Sequence, residues 1–114
     1  MSTLDTARCD TVRRLYAAYV AQHPDVVRPM LTSDFTFSSP RDDHIDRDRY
    51  FKHCWPKEKV FRAIHIEHLV PDRDEVIVGY RAEKMDGDSF RNVEVIRFTG
   101  DRIAEVNVYF GRNV

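Results

Sequence analysis

The sequence predicts an α+β domain: three N-terminal helices packed on a strongly curved antiparallel sheet that encloses a pocket. Three observations carry this. Helical apolar periodicity is confined to the first half of the chain. From Val60 onwards, four runs rich in Val, Ile, Phe and Tyr follow one another with short turn signals between them, as in a meander. Elements segregated in this way put the helices over one face of the sheet, and a curved sheet covered on its concave side keeps a hollow.

A chain of 114 residues is read as one domain, residues 1–114, large enough for a single core without disulfides. Hydrophobic residues at 42% and charged residues at 32% suit a soluble globular protein. The net charge of −1 offers no basic footprint, which argues against nucleic acid as a partner. Cys9 and Cys54 have no CxxC or metal-type spacing and read as two reduced thiols. The start, MSTLDTARCD, has no apolar signal region, and no run approaches the roughly 18 apolar residues that a membrane span needs. A cytoplasmic protein without membrane contact is expected.

Helix 1 is expected over residues 4–22. Val12, Leu15, Tyr16, Tyr19 and Val20 recur at helical spacing and form one apolar stripe. Ser2 or Thr3 caps its start, and His23-Pro24 ends it, because the residue before proline leaves the helical region. A short second helix is expected from an Asp25 cap through Leu31, with Pro29 near its first turn. Phe35 to Ser39 alternates like a short strand and stops at Pro40. The next segment, RDDHI, reads as a polar loop. Asp46 caps a third helix whose apolar face is Tyr50, Phe51, Cys54 and Trp55, ended by Pro56. Val60–Val70 and Glu75–Lys84 are strands joined by the turn Pro71-Asp72-Arg73-Asp74.

The last stretch, FRNVEVIRFTGDRIAEVNVYFG, reads as a long hairpin. Its first strand sets Phe90, Asn92, Glu94, Ile96 and Phe98 on one face and Arg91, Val93, Val95 and Arg97 on the other. Its second strand sets Ala104, Val106, Val108 and Phe110 on an apolar face. If the two faces coincide, Glu94 and Asn92 lie in an apolar hollow, where a carboxyl group resists ionisation. The loop Met85-Asp86-Gly87 pairs Lys84 with Asp88, so Tyr80 faces Asn92 and Val78 faces Glu94. The turn at 99–101 leaves two registers open. A two-residue Gly100-Asp101 loop sets Glu94 with the polar face of the last strand, and a three-residue loop sets it with Val106.

The segments RRLYAAYVAQHPDVVRPMLTSDFTFSSP, DRDRYFKHCWP and above all DGDSFRNVEVIRFTGDRIAEVNVYFG carry a resemblance. Together they resemble the NTF2-like superfamily, and within it the SnoaL-like group that includes polyketide cyclases and ketosteroid isomerases. The resemblance implies a cone-shaped fold, a homodimer and a small-molecule pocket, with function varying widely on that scaffold. It places Glu94 where ketosteroid isomerases hold a hydrogen-bond-donating carboxylic acid. It places Ser39, before Pro40, where those enzymes hold their general-base Asp, a role serine cannot fill. No set here matches the Asp–Arg–Asp constellation of the related epoxide hydrolases.

Glu94 is thus the candidate catalytic residue, with a strand Glu paired to Arg81 or Arg97 as the bland alternative. Asn92 is a second polar anchor or a satisfied core amide. Tyr80 and Tyr16 belong to the core or to the pocket wall, and Trp55 either packs its helix on the sheet or forms a wall for a flat ligand. Phe37, Ser39, Val106, Val108 and Phe110 complete the expected lining. His53 points away from Cys54 on the helix, which disfavours a Cys–His dyad. His65 and His68 lie on opposite faces of their strand, and either one could enter the pocket. No metal spacing and no cofactor motif is present. The expected partner is a small apolar, ring-containing or carbonyl-bearing molecule, handled by acid–base chemistry such as isomerisation, cyclisation or dehydration, or simply bound. The mixed face of Arg91, Val93, Val95 and Arg97, with Glu105, Asn107 and Tyr109 nearby, is expected to pair two copies.

Overall fold

Helix α1 spans Thr3–Ala21 in the computed structural model, which describes residues 2–114. Ser2 caps it in a reciprocal box with Asp5, and Gln22 closes it in a left-handed conformation. Helix α2 is only Pro24–Val27, followed by a tight 3₁₀ turn, Arg28–Met30. It is shorter than expected and lacks the Asp25 cap, since Pro24 itself opens it. Pro29 has no N–H to continue the α pattern, so the chain tightens and enters β1 (Leu31–Ser39) early.

The segment expected as a polar loop is instead strand β2, Asp42–Asp46, paired antiparallel with β1. It is an edge strand with both faces largely in water, so it shows no apolar alternation to betray it. Asp46 ends it and caps α3 (Arg47–His53) through the Arg49 N–H. Strands β3 (Phe61–Asp72), β4 (Glu75–Lys84), β5 (Ser89–Thr99) and β6 (Arg102–Asn113) form the meander.

The sheet has the order β2-β1-β6-β5-β4-β3. It is mixed, because β1 runs parallel to β6. That corrects the expected antiparallel sheet. Turn chemistry sets direction only between neighbours in sequence, and β1 meets β6 across most of the chain.

Bulges bend the sheet around its helices. In β3 one residue is inserted at Arg62 and another at Glu67 relative to β4. These insertions let Ile64, Ile66, Leu69 and Pro71 all pair with the inward row Ala82, Tyr80, Val78 and Val76. Pro71 costs no ladder bond here, because β3 is an edge strand. The concave face packs on Val12, Leu15 and Tyr16 of α1 and on Tyr50 of α3.

The β5–β6 turn resolves in a way neither sequence option contained. The loop has two residues, since Thr99 pairs with Arg102. A bulge at Ala104 then shifts the ladder by one, so Glu94 faces Val108. Ile103 and Ala104 are both buried, as the two residues of a bulge on the core side can be. The slip that would have turned Glu94 towards polar neighbours is undone within four residues.

At the narrow end, Arg8 of α1 is only 4% exposed. Its Nε donates to the Gly100 carbonyl at 2.9 Å and a terminal nitrogen donates to the Arg73 carbonyl at 3.2 Å. One guanidinium thereby ties helix α1 to both hairpin turns. Nothing in the sequence pattern singles it out, because arginine in a helix usually faces water.

Candidate functional site

Between the concave sheet and helices α1 and α3 lies a cavity of about 180 Å³. Its polar end is built by β4 and β5. The register pairs Tyr80 with Asn92 and Val78 with Glu94, as the Met85-Asp86-Gly87 loop requires. Alternation along β5 then turns Asn92 and Glu94 to the same concave side. Tyr80, Asn92 and Glu94 all line the cavity.

A directed chain of hydrogen bonds joins them. At the second bulge of the β5–β6 ladder, Gly111 approaches Arg91 so closely that any Cβ would lie 2.0 Å from the Arg91 carbonyl oxygen. The Gly111 N–H donates to Asn92 Oδ1 at 3.1 Å. An N–H can only donate, so the Asn92 amide must present Nδ2 to its other neighbour. That nitrogen donates to the Tyr80 hydroxyl at 3.3 Å, and the hydroxyl donates to Glu94 Oε2 at 2.6 Å. Asn92 is therefore both a structural amide and the orienter of Tyr80.

Glu94 is 8% exposed. Burial pushes its carboxyl above the usual range, opposed by the hydrogen bond from Tyr80 and by the nearby Tyr16 hydroxyl. Arg81 and Arg97 do not neutralise it; they approach Glu83 and Glu105 instead. No protein group among the described residues bonds Oε1. Burial and the adjacent Glu94 charge push the hydroxyls of Tyr16 and Tyr80 far up, so both remain protonated donors. The Tyr16 hydroxyl is buried near the carboxyl and has no hydrogen-bond partner among the described residues. It is a spare donor at the cavity wall.

Of the other expected lining residues, Tyr16, Phe37, Val106, Val108 and Phe110 are in place. Two are not. Trp55 lies behind the wall, edge-on to Tyr19 with ring centres 5.0 Å apart and 5.8 Å from Phe51. It follows the end of α3, and the chain turns it into the helix–helix seam. Ser39 sits at the β1–β2 turn, where its hydroxyl accepts from the Arg41 N–H at 3.1 Å. The pairing irregularity between Phe37 and Ser39 keeps it from following Phe37 inward. His65 and His68 are both exposed, the first bonded to Glu83 at 2.7 Å, the second packed over Gly79. The bulge at Glu67 separates them from the inward row on either side.

Several lining residues stand outside the expected set, among them Tyr19, Tyr50, Phe61 and Phe90. Tyr19, three residues after Tyr16, was legible as the same helix face. Phe61 and Ile64 were not, because their odd spacing follows from an insertion that leaves no mark in the sequence. Cys54 also reaches the cavity, with burial raising its thiol to about 11. Among the described residues no group of three His, Cys, Asp or Glu side chains converges as metal ligands would. No helix among the described residues is long and apolar enough to cross a membrane.

A curved sheet wrapped on three helices, with one buried carboxyl in an aromatic hollow, defines an α+β cone of the NTF2-like kind. The SnoaL-like domain model matches residues 12–106, and the chain belongs to that family. A candidate SnoaL-like polyketide cyclase from Jannaschia sp. CCS1 is similar in structure, with TM-score 0.81 and 16% identity over 95% of this chain and 88% of the other. An NTF2-like protein of unknown function from Cytophaga hutchinsonii ATCC 33406 gives TM-score 0.77 and 22% identity over 96% and 94%. An epoxide hydrolase of LEH-like type from M. tuberculosis gives 0.76 and 19% over 92% and 83%. At these identities the likeness is one of fold. No curated protein matches the chain.

Proposed function

We propose that this chain is a small-molecule pocket protein acting as a cofactor-independent acid–base enzyme, with Glu94 as the group that moves the proton. The observation that carries this is the chain Asn92–Tyr80–Glu94, which ends in a free carboxyl oxygen inside an apolar cavity. A cavity of about 180 Å³ suits a ring-sized molecule, since a cavity of ~150 Å³ accepts benzene. The substrate class is an apolar, carbonyl-bearing ring compound.

The residues support a proton shift. Ionised Glu94 takes a proton from the carbon beside the carbonyl, and the electron pair moves to the carbonyl oxygen. We assign stabilisation of that oxyanion to the Tyr16 hydroxyl, which is buried without a protein partner among the described residues. Glu94, now neutral, returns the proton at a different carbon. Tyr80, held by Asn92, keeps Oε2 occupied so that Oε1 does the chemistry. Isomerisation needs only this one group, whereas cyclisation and dehydration add a bond made or broken at the same enolate.

Cyclohex-3-enone, which gains ultraviolet absorbance on conversion to cyclohex-2-enone, tests this. Wild type is expected to accelerate the conversion, with the rate rising with pH as Glu94 ionises. Glu94→Gln is expected to lose at least ~100-fold, the usual worth of a positioned acid–base group. Equal rates for both proteins would remove Glu94 from the chemistry.

A second reading, a non-catalytic binder, is favoured by one observation: Glu94 is the only carboxyl or imidazole group in the lining. Tight binding of cyclohexenones with no turnover would select it. We also assign the convex sheet face to a homodimer. The cross-strand pairs Val93–Tyr109, Val95–Asn107 and Arg97–Glu105 mix apolar and opposite-charge surface. Sedimentation at tens of micromolar should give twice 13.5 kDa. The free thiols Cys9 and Cys54 fit a reducing, cytoplasmic setting.

A further inference from the structure

The walls of the cavity select for charge as well as size. Eight of its fifteen lining residues are aromatic, and Glu94 is the only charged type among them. No Lys, Arg or His lines it. Aromatic faces carry negative electrostatic potential and attract cations, most strongly where water is excluded. Glu94 therefore lies buried with no counter-charge in the lining, and burial pushes its carboxyl above the usual range. A positive guest would supply the missing charge.

We propose that the cavity takes a ring-sized organic cation, an ammonium or iminium nitrogen seated against Glu94 Oε1 between tyrosine and phenylalanine faces. This rests on the reading of the cavity as a ligand site and narrows its substrate class. An iminium is the nitrogen counterpart of a carbonyl and suits the same chemistry. Ionised Glu94 removes a proton from the carbon beside the C=N⁺ bond, and the electron pair moves to nitrogen. The products are a neutral enamine and a neutral carboxylic acid. Return of the proton at another carbon restores both charges.

Two basic side chains stand near the rim. Lys84 Nζ lies 5.9 Å from the Phe90 ring centre and Arg41 lies 5.6 Å from that of Phe110. Arg41 is exposed and Lys84 partly so, where ions in solution screen them. Glu94 is buried, where its attraction is not screened. The charge nearest the guest therefore decides the preference.

Phenyltrimethylammonium and tert-butylbenzene have the same shape and differ by one positive charge, which makes them the probes. Binding to the full chain is measured by calorimetry and by NMR at pH 8 and pH 5. The expected result is at least tenfold tighter binding of the cation than of the hydrocarbon at pH 8. The preference should shrink at pH 5 and fall to within about threefold in Glu94→Gln. The N-methyl protons should move upfield on binding, as protons over ring faces do. That readout needs no variant and holds even if Glu94→Gln folds poorly. Hydrocarbon binding as tight as cation binding would overturn the charge preference and leave the pocket reading intact. A cation preference that survives Glu94→Gln in a folded protein would overturn the site. Binding of neither probe would overturn this proposal and the pocket reading together, whereas cation binding without cyclohexenone turnover would spare this proposal alone.

Discussion

The Tyr80 hydroxyl stands 2.6 Å from Glu94 Oε2, across the β4–β5 ladder and inside the core. This bond is the larger of two compensations, the nearby Tyr16 hydroxyl being the other, that the fold gives a carboxyl group it has removed from water. It lowers what burial raises, and burial is the larger effect. The pair therefore costs the fold stability whenever Glu94 is ionised.

The sign of that cost sets a pH dependence. Because the folded pKa is raised, the native state holds a proton that the unfolded chain releases near pH 4–5. Stability should be unimpaired below that pH, fall as pH rises towards the folded pKa, and level off above it. Glu94→Gln cannot ionise. Thermal unfolding of the two proteins should nearly coincide at pH 4, with the variant pulling ahead as pH rises and the gap then levelling off above the folded pKa. A gap that is constant with pH would show that Glu94 is not desolvated.

Tyr80→Phe removes the hydroxyl that both Asn92 and Glu94 bond. We expect a loss of about 1–3 kcal/mol in denaturant unfolding, because the buried Glu94 and the half-buried Asn92 both lose a partner. The loss should be larger at pH 8 than at pH 5, since the hydrogen bond favours the charged form. Equal losses at both values would mean that Tyr80 serves packing alone.

Gly111→Ala places a methyl group 2.0 Å from the Arg91 carbonyl oxygen. Backbone cannot give way as a side chain can, so β6 must part from β5 at that point and break the Asn92 contact. A cost of about 2 kcal/mol or more is expected. By contrast Gly100, at φ 59° with open space around it, should accept Asn within about 0.5 kcal/mol. Chemical denaturation of both variants checks the contrast.

Arg8→Met keeps the bulk of the side chain and loses its bonds to the Gly100 and Arg73 carbonyls. Those carbonyls lie at turns that water can reach, so the expected cost is moderate, about 1–3 kcal/mol. Unfolding kinetics should show it mainly as faster unfolding if the two turns dock on α1 late. An unchanged stability would mean that water replaces the guanidinium fully.

The sequence by itself determined the helical stripe of α1, the meander, and the inward side shared by Tyr80, Asn92 and Glu94. Each depends on contacts close along the chain: 3.6- and 2-residue periods, and a Gly-bearing turn that pins the register of its own two strands. Such information is local, and it survives without knowing what lies opposite. What only the tertiary structure decided is everything that rests on an insertion or on a distant neighbour. The bulge at Ala104 chose Val108 as the partner of Glu94, and the insertions at Arg62 and Glu67 turned Phe61 and Ile64 inward and left His65 and His68 in water. The parallel seating of β1 beside β6 and the retreat of Trp55 and Ser39 from the cavity belong to the same group. A bulge costs a strand little and leaves no residue pattern behind. It is selected by the curvature that lets one sheet close around three helices, a property of the assembled layers and of no segment alone.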